Sequence, residues 1–251
     1  MFFPSLSFNK TRVPRLACLA FLTLALRPAF ALGIDKLSLE IDANGKFSSA
    51  SQVVLFNDTN DTVYVTGRPL AWNSDEAGAL TTQPTTDLAI SPATARIPAQ
   101  GAAAFSVRYV GPKKEGESTF RASFRETRMP ALDPDNAGQG VGAQVLAGIV
   151  VTIPVFVSDF ASRAPAFKGV EATFRRTGQD AMLSVKNGGS RHVIVDAIRI
   201  GDEEIRRPRD TLFANRRMTY ARIKQPGAGA SLSVVLVNGT ETRRITAMEE
   251  K

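Results

Sequence analysis

The longest regular pattern of apolar and polar positions runs from Val141 to Val157, VGAQVLAGIVVTIPVFV. The odd positions, Val141, Ala143, Val145, Ala147, Ile149, Val151, Ile153, Val155 and Val157, are all apolar. The even positions mix Gly, Gln and Thr with Leu, Val, Pro and Phe. A period of two predicts a strand with one continuously hydrophobic face. At seventeen residues it is about two to three times a usual strand, more than one domain's core easily covers. Pro154 lacks a backbone donor, which suits an edge or the end of pairing. Two readings follow from the pattern. Either the strand offers its spare apolar face and edge to another protein, or two ordinary strands are joined without a turn.

Shorter alternating runs precede it. Ile34–Ile41 alternates only roughly; Ser51–Phe56 and Thr62–Trp72 are predicted strands, the second with Tyr64, Thr66, Arg68, Leu70 and Trp72 on one face. Pro69 places part of that strand at an edge or bulge. Residues 73–86 read as a long polar loop, and Leu88–Ile90 as a short apolar piece. Ala103–Val110 alternates, and Ser118–Glu126 puts Phe120, Ala122 and Phe124 on one side and Arg121, Ser123 and Arg125 on the other. Turn residues separate these runs, and no stretch has helical period, so the fold class is all-β and the architecture a sandwich.

Beyond a small-residue linker at 158–165, a second series of short strands begins: Val170–Arg175, Ala181–Val185, His192–Ile200, Arg217–Ile223, Leu232–Val237 and Thr242–Ala247. The expected organisation is a leader at 1–31, a first immunoglobulin-like domain at 32–157, the linker, and a second, smaller domain at 166–251.

The leader follows from its own pattern. Lys10, Arg12 and Arg15 precede an apolar run from Leu16 to Leu26, and Ala29-Phe30-Ala31 is an A-x-A cleavage box. These read as a cleaved signal peptide. The leader holds Lys10, Arg12, Arg15 and Arg27 and no acid, so its removal lowers the formal charge from +7 to +3. Nucleic acid is therefore a poor expectation for a partner. The one cysteine, Cys18, leaves with the leader, so no disulfide and no thiolate nucleophile is expected.

Candidate chemistry is sparse. One histidine, His192, and no cysteine outside the leader argue against a metal site and against most nucleophile–base pairs; His192 lies on an alternating run and reads as packed or surface. The carboxylates Asp35, Glu40, Asp42, Asp87 and Glu126 form no motif that names a reaction. No phosphate loop is present, and no cofactor is expected. The basic cluster Arg206-Arg207-Pro208-Arg209 follows Glu203 and Glu204 and reads as a solvated loop. Asn57, Asn60 and Asn238 head three short glycosylation sequons. The chain is not expected to be an enzyme.

Several stretches in order carry a resemblance. Gln83 to Pro92, QPTTDLAISP, resembles the polar loop and (L/I)-x-S-P segment of the PapD-like periplasmic pilus chaperones, above all their archaic chaperone–usher branch. Ala95 to Gly101, ARIPAQG, resembles a turn of that family, Ser118 to Glu126 its sixth strand, Ile153 to Val157 the end of its seventh, and Leu183 to His192 the opening of its second domain. The resemblance implies two immunoglobulin-like sandwiches at an angle, like a boomerang. It implies a periplasmic protein that binds a pilus or fimbrial subunit by donor-strand complementation and delivers it to an outer-membrane usher. By the family register the donor residues are Val145, Ala147, Ile149 and Val151.

The family holds the subunit's carboxylate with two basic residues, but here Ser38 stands where the first is expected and Ile149–Ile153 contains no base. Lys36, Arg68 and Arg125 are the candidate anchors instead. The alternative is a secreted structural or adhesive module that self-associates through the same edge. A hydrophobic edge also implies transient homo-oligomers under the chaperone reading.

Overall fold

The computed structural model describes residues 32–44, 49–74, 79–112, 115–127 and 148–250. The leader and the first seven positions of the long alternating run lie outside the described residues. The strands are β1 (Gly33–Ile34), β2 (Leu39–Asp42), β3 (Ala50–Phe56), β4 (Val63–Ser74), β5 (Leu80–Pro84), β6 (Leu88–Ser91), β7 (Thr94–Ile97), β8 (Ala102–Tyr109), β9 (Glu117–Thr127) and β10 (Val150–Ser158). They continue with β11 (Val170–Thr177), β12 (Asp180–Asn187), β13 (Val193–Ile200), β14 (Glu203–Arg206), β15 (Asp210–Leu212), β16 (Arg216–Lys224), β17 (Leu232–Asn238), β18 (Glu241–Thr246) and β19 (Met248–Glu249).

The first ten strands form two sheets. One runs β1-β3-β8-β6; the other runs β2-β10-β9-β4-β5, with β7 also on β4. Their inner faces enclose Ile41, Val53, Leu55, Val63, Val65, Phe105, Val107, Phe120, Phe124 and Val155. Alternation explains why these residues are inside, since successive side chains of a strand point to opposite faces. The remaining strands make a second sandwich, β16-β12-β11-β19 against β14-β13-β17-β18 with β15 on β13. Its separate core includes Phe174, Leu183, Val185, Val193, Val195, Ile198, Val234 and Leu236.

Five short strands, β5, β7, β14, β15 and β19, were not expected from the sequence. All five residues of β5 are exposed, so no apolar alternation announces it, and part of the stretch read as polar loop is in fact paired to β4 through Leu70↔Pro84 to Ser74↔Leu80. The rough alternation of 34–41 also has a cause. The chain leaves the first sheet after β1 and joins the second at β2, so no single face persists. Pro69 falls between the two strands that share one edge of β4: β7 covers Val63–Thr66 and β5 covers Leu70–Ser74.

Two sequons are corrected. Asn57 is 0% exposed and Asn238 4% exposed. The Asn57 amide donates to the carbonyls of Asp61, Ile97 and Pro98 at 2.7, 3.2 and 2.8 Å. It ties together the turns at one end of the first sandwich, and no glycan has room there. Only Asn60 of the three is exposed. The arginine cluster is not a free loop either. Arg206 ends β14, Arg207 pairs with Glu204 at 2.7 Å, and Arg209 lies 3.4 Å from Asp196.

Candidate functional site

β10 has a different number of neighbours along its length. On one side it pairs antiparallel with β9 throughout, from Val150↔Arg125 to Ser158↔Glu117. On the other it pairs parallel with β2, but only from Val155↔Leu39 to Ser158↔Asp42. Among the described residues, Val150–Pro154 has no strand on that side. Pro154, which has no N–H to donate, stands at the boundary. Within the described residues, the backbone groups facing outward from Val150–Pro154 are an edge on which a further strand could pair.

Burial along the odd positions falls off in the same direction. Val157, Val155 and Ile153 are 2, 0 and 2% exposed. Val151 is partly buried against the edge of the same core, and Ile149 is half-buried. The expected donor residues Ile149 and Val151 therefore lie where the strand leaves its own core; Val145 and Ala147 lie outside the described residues. Pairing begins one residue before β10, since the Glu126 N–H donates to the Ile149 carbonyl at 2.8 Å. Glycine is needed at 148, where a Cβ would stand 2.7 Å from the Glu126 carbonyl oxygen. The even positions face outward: Val150 is 48% exposed, and Phe156, covered from elsewhere, only 4%.

The candidate basic residues do not all meet. Arg68 on β4 is paired with Ser123, and Arg125 on β9 with Thr66 and Val150. The register places both on the outer face of the sheet, Arg125 one strand in from β10 and Arg68 two, and both are exposed. Lys36 lies in the segment crossing from β1 to β2, where its Nζ donates to the Gln52 carbonyl of the other sheet at 2.7 Å. Arg121, one outward step along β9 from Ser123, was not singled out. The alternation of Ser118–Glu126 already turned it to this face. Its guanidinium sits 4.1 Å from the Trp72 ring centroid, and burial pulls its pKa below the usual arginine value.

Three of the carboxylates named above serve structure. Asp35 Oδ1 accepts from the Val54 N–H at 2.8 Å, Glu40 pairs with Arg163 at 2.7 Å, and Asp42 Oδ1 accepts from the N–H groups of Asn44 and Phe160. Among the described residues no group of three His, Cys, Asp or Glu side chains is placed to hold a metal ion. His192 is packed, 3% exposed, at the junction of the sandwiches.

The sequence matches no protein-family model and no curated protein. Solved structures do match. One is the CsuC–CsuE chaperone–tip adhesion subunit pre-assembly complex from the archaic chaperone–usher Csu pili of Acinetobacter baumannii, with TM-score 0.63 and 17% identity over 88% of this chain and 99% of that one. This chain has the two-sandwich fold of pilus chaperones. The E. coli chaperone DraB is similar over 88% of this chain and 97% of its own (TM-score 0.57, 18% identity), and Pseudomonas aeruginosa CupB2 over 86% and 100% (0.58, 12%). At these identities the pilus-chaperone fold is what is shared. In that fold β10 is the last strand of the first sandwich, and it is the strand that carries the open edge here.

Proposed function

We propose that this protein is a periplasmic chaperone that lends the open segment of β10 to a pilus or fimbrial subunit and delivers the subunit to an outer-membrane usher. The observation that carries the reading is the single-sided pairing of Val150–Pro154 in a strand whose apolar phase continues on both sides. Strand addition uses backbone hydrogen bonds for affinity and alternate side chains for specificity. The odd residues Val145, Ala147, Ile149 and Val151 are the donors in this reading. Full burial of each contributes up to about 1.5–3 kcal/mol, the small Ala147 least, before the cost of association is subtracted.

The outer face beside the edge carries Arg68 and Arg125 with no carboxylate opposite them in the paired rows. We assign these two, rather than Lys36, as the residues that hold an acidic group of the subunit. The solved relatives support a subunit as the partner: besides CsuC–CsuE, a Salmonella enterica chaperone, SafB, is known bound to the SafA pilin. Export to the periplasm rests on the pattern of 1–31.

The test is co-expression in the periplasm with small immunoglobulin-like subunits encoded beside this gene, followed by size exclusion with light scattering. A soluble one-to-one complex is expected. A stable homo-oligomer indifferent to every such subunit overturns the reading in favour of a self-associating module.

A further inference from the structure

The two halves of the chain carry opposite charge. Residues 32–165 hold eleven Lys and Arg against fourteen Asp and Glu, a formal charge of −3. Residues 166–251 hold sixteen against ten, a formal charge of +6. Such asymmetry favours an anionic partner for the basic half.

Part of the excess gathers on the outer face of β11, β12 and β16. Register sets the outward side chains in rows: Glu171, Lys186 and Arg217 in one, Thr173, Ser184 and Thr219 in the next, and Arg175 beside Met182 in a third. Lys186 and Arg217 are thus like charges directly opposite each other, an arrangement that costs a sheet stability. Arg175, Lys186 and Arg217 are all exposed. Among the described residues none of the three has a hydrogen bond or an ion pair. A shallow groove of about 230 Å³ runs between Arg175 and Arg217, lined by Met182, Ser184 and Thr219. Two carboxylates share the face. Glu250 accepts from the Thr173 hydroxyl at 2.6 Å, and Glu171 adjoins Lys186 in its row. β16 is the last strand of its sheet, and its free edge adds the exposed Arg222 and Lys224.

One large apolar side chain stands among these cations. Met248 of β19, the register partner of Thr173, is 65% exposed. A protein partner is held chiefly by aromatic and arginine anchors that fill pockets, and this face has a shallow polar groove and no aromatic. An anionic bilayer asks for less: basic side chains at the head groups and an apolar one at the boundary. We propose that the β11–β12–β16 face docks on a bilayer surface rich in anionic phospholipid. The same surface repels the acidic first sandwich, so the second sandwich leads and β10 is kept away from the lipid. The docking stands apart from subunit capture and does not require it.

The test is flotation with vesicles. The protein is taken as the cell exports it, and all variants share one N-terminus, so the basic leader does not enter the comparison. The parent floats with vesicles of phosphatidylglycerol in phosphatidylcholine, stays behind with phosphatidylcholine alone, and is released by salt. Arg175→Gln, Lys186→Gln and Arg217→Gln combined lower the partition coefficient about a hundredfold, each basic side chain at an anionic surface being worth about a factor of five. Arg207→Gln, Arg209→Gln and Arg243→Gln remove the same charge from elsewhere on the second domain and lower it little. Near-ultraviolet circular dichroism checks folding; if the first triple variant does not fold, Arg175→Gln with Arg217→Gln carries the test. A parent that ignores anionic vesicles overturns the docking, and equal losses in the two triple variants overturn the face. Retention on immobilised polyglutamate in preference to vesicles overturns the bilayer in favour of an acidic protein. Release by inorganic phosphate at an ionic strength where chloride has no effect overturns it in favour of a small anion. A parent that floats as stated but captures no pilus subunit sinks the chaperone reading alone.

Discussion

Leu39 and Val155 are register partners, and at this pair β10 gains its second neighbour. Before it, at Pro154 and earlier, β9 is the strand's one neighbour among the described residues. A short parallel pairing thus divides one strand into a part committed to its own sheet and a part with an edge to spare.

Ile149→Asp places a carboxylate on the donor phase just outside the core. Subunit capture should fall about tenfold to a hundredfold, the loss expected from about 1.5–3 kcal/mol of apolar burial at about 1.4 kcal/mol per decade. Val150→Asp, on the opposite phase, should weaken capture much less. Pull-down from periplasmic extracts compares the two, and equal effects would contradict the odd register.

Arg68→Ala combined with Arg125→Ala should weaken capture and flatten its dependence on salt, because exposed charge pairs are screened over about 8–10 Å at 0.1–0.15 M ionic strength. Titration at two salt concentrations reads this. Lys36→Ala should leave both quantities unchanged.

Asn57→Ala removes five side-chain hydrogen bonds, three donated to the carbonyls of Asp61, Ile97 and Pro98 and two accepted from Thr59. The loss should be about 1–3 kcal/mol, seen as a lower urea midpoint with unchanged slope. Asn60→Ala, at an exposed site, should change stability little.

The alternation in the sequence foretold most of the first sandwich, because Phe120, Ala122 and Phe124 face one core and period two leaves little choice. It foretold the second sandwich almost as well, including the paired runs Val170–Arg175 and Ala181–Val185. It could not foretell β5 or β7, whose pairing depends on backbone bonds to β4 and not on buried side chains. The contact of His192 with Glu117, 75 positions away in sequence, leaves no local trace. One signal was available and not used: Trp72 and Phe156 are large aromatics on outward phases, and such residues call for a cover. Of the candidate site, the apolar phase of β10 was legible. The basic face was legible only in part, since Arg68 and Arg125 fall together through the β4–β9 register.

The C-terminal strand β19 offers a pH-dependent reading. Hydrogen bonds from Arg176 to Glu249, at 2.7 and 3.4 Å, hold the Glu249 carboxyl below the usual glutamate pKa. A lowered folded pKa means the contribution is present above the unfolded value and is lost as pH falls through the folded one. The Met248 methyl resonance should therefore move toward its disordered position in acid, below the ordinary glutamate range. Arg176→Ala should flatten this pH dependence, since it removes the partner that lowers the Glu249 pKa.

β5 closes the far rim of the same sheet that β10 opens. None of its five side chains is buried, so a visiting chain would find hydrogen-bonding groups there but no apolar phase to match. The two flanks of this sheet thus differ in kind: a strand laid along β10 would meet a matching apolar phase, and one laid along β5 would not.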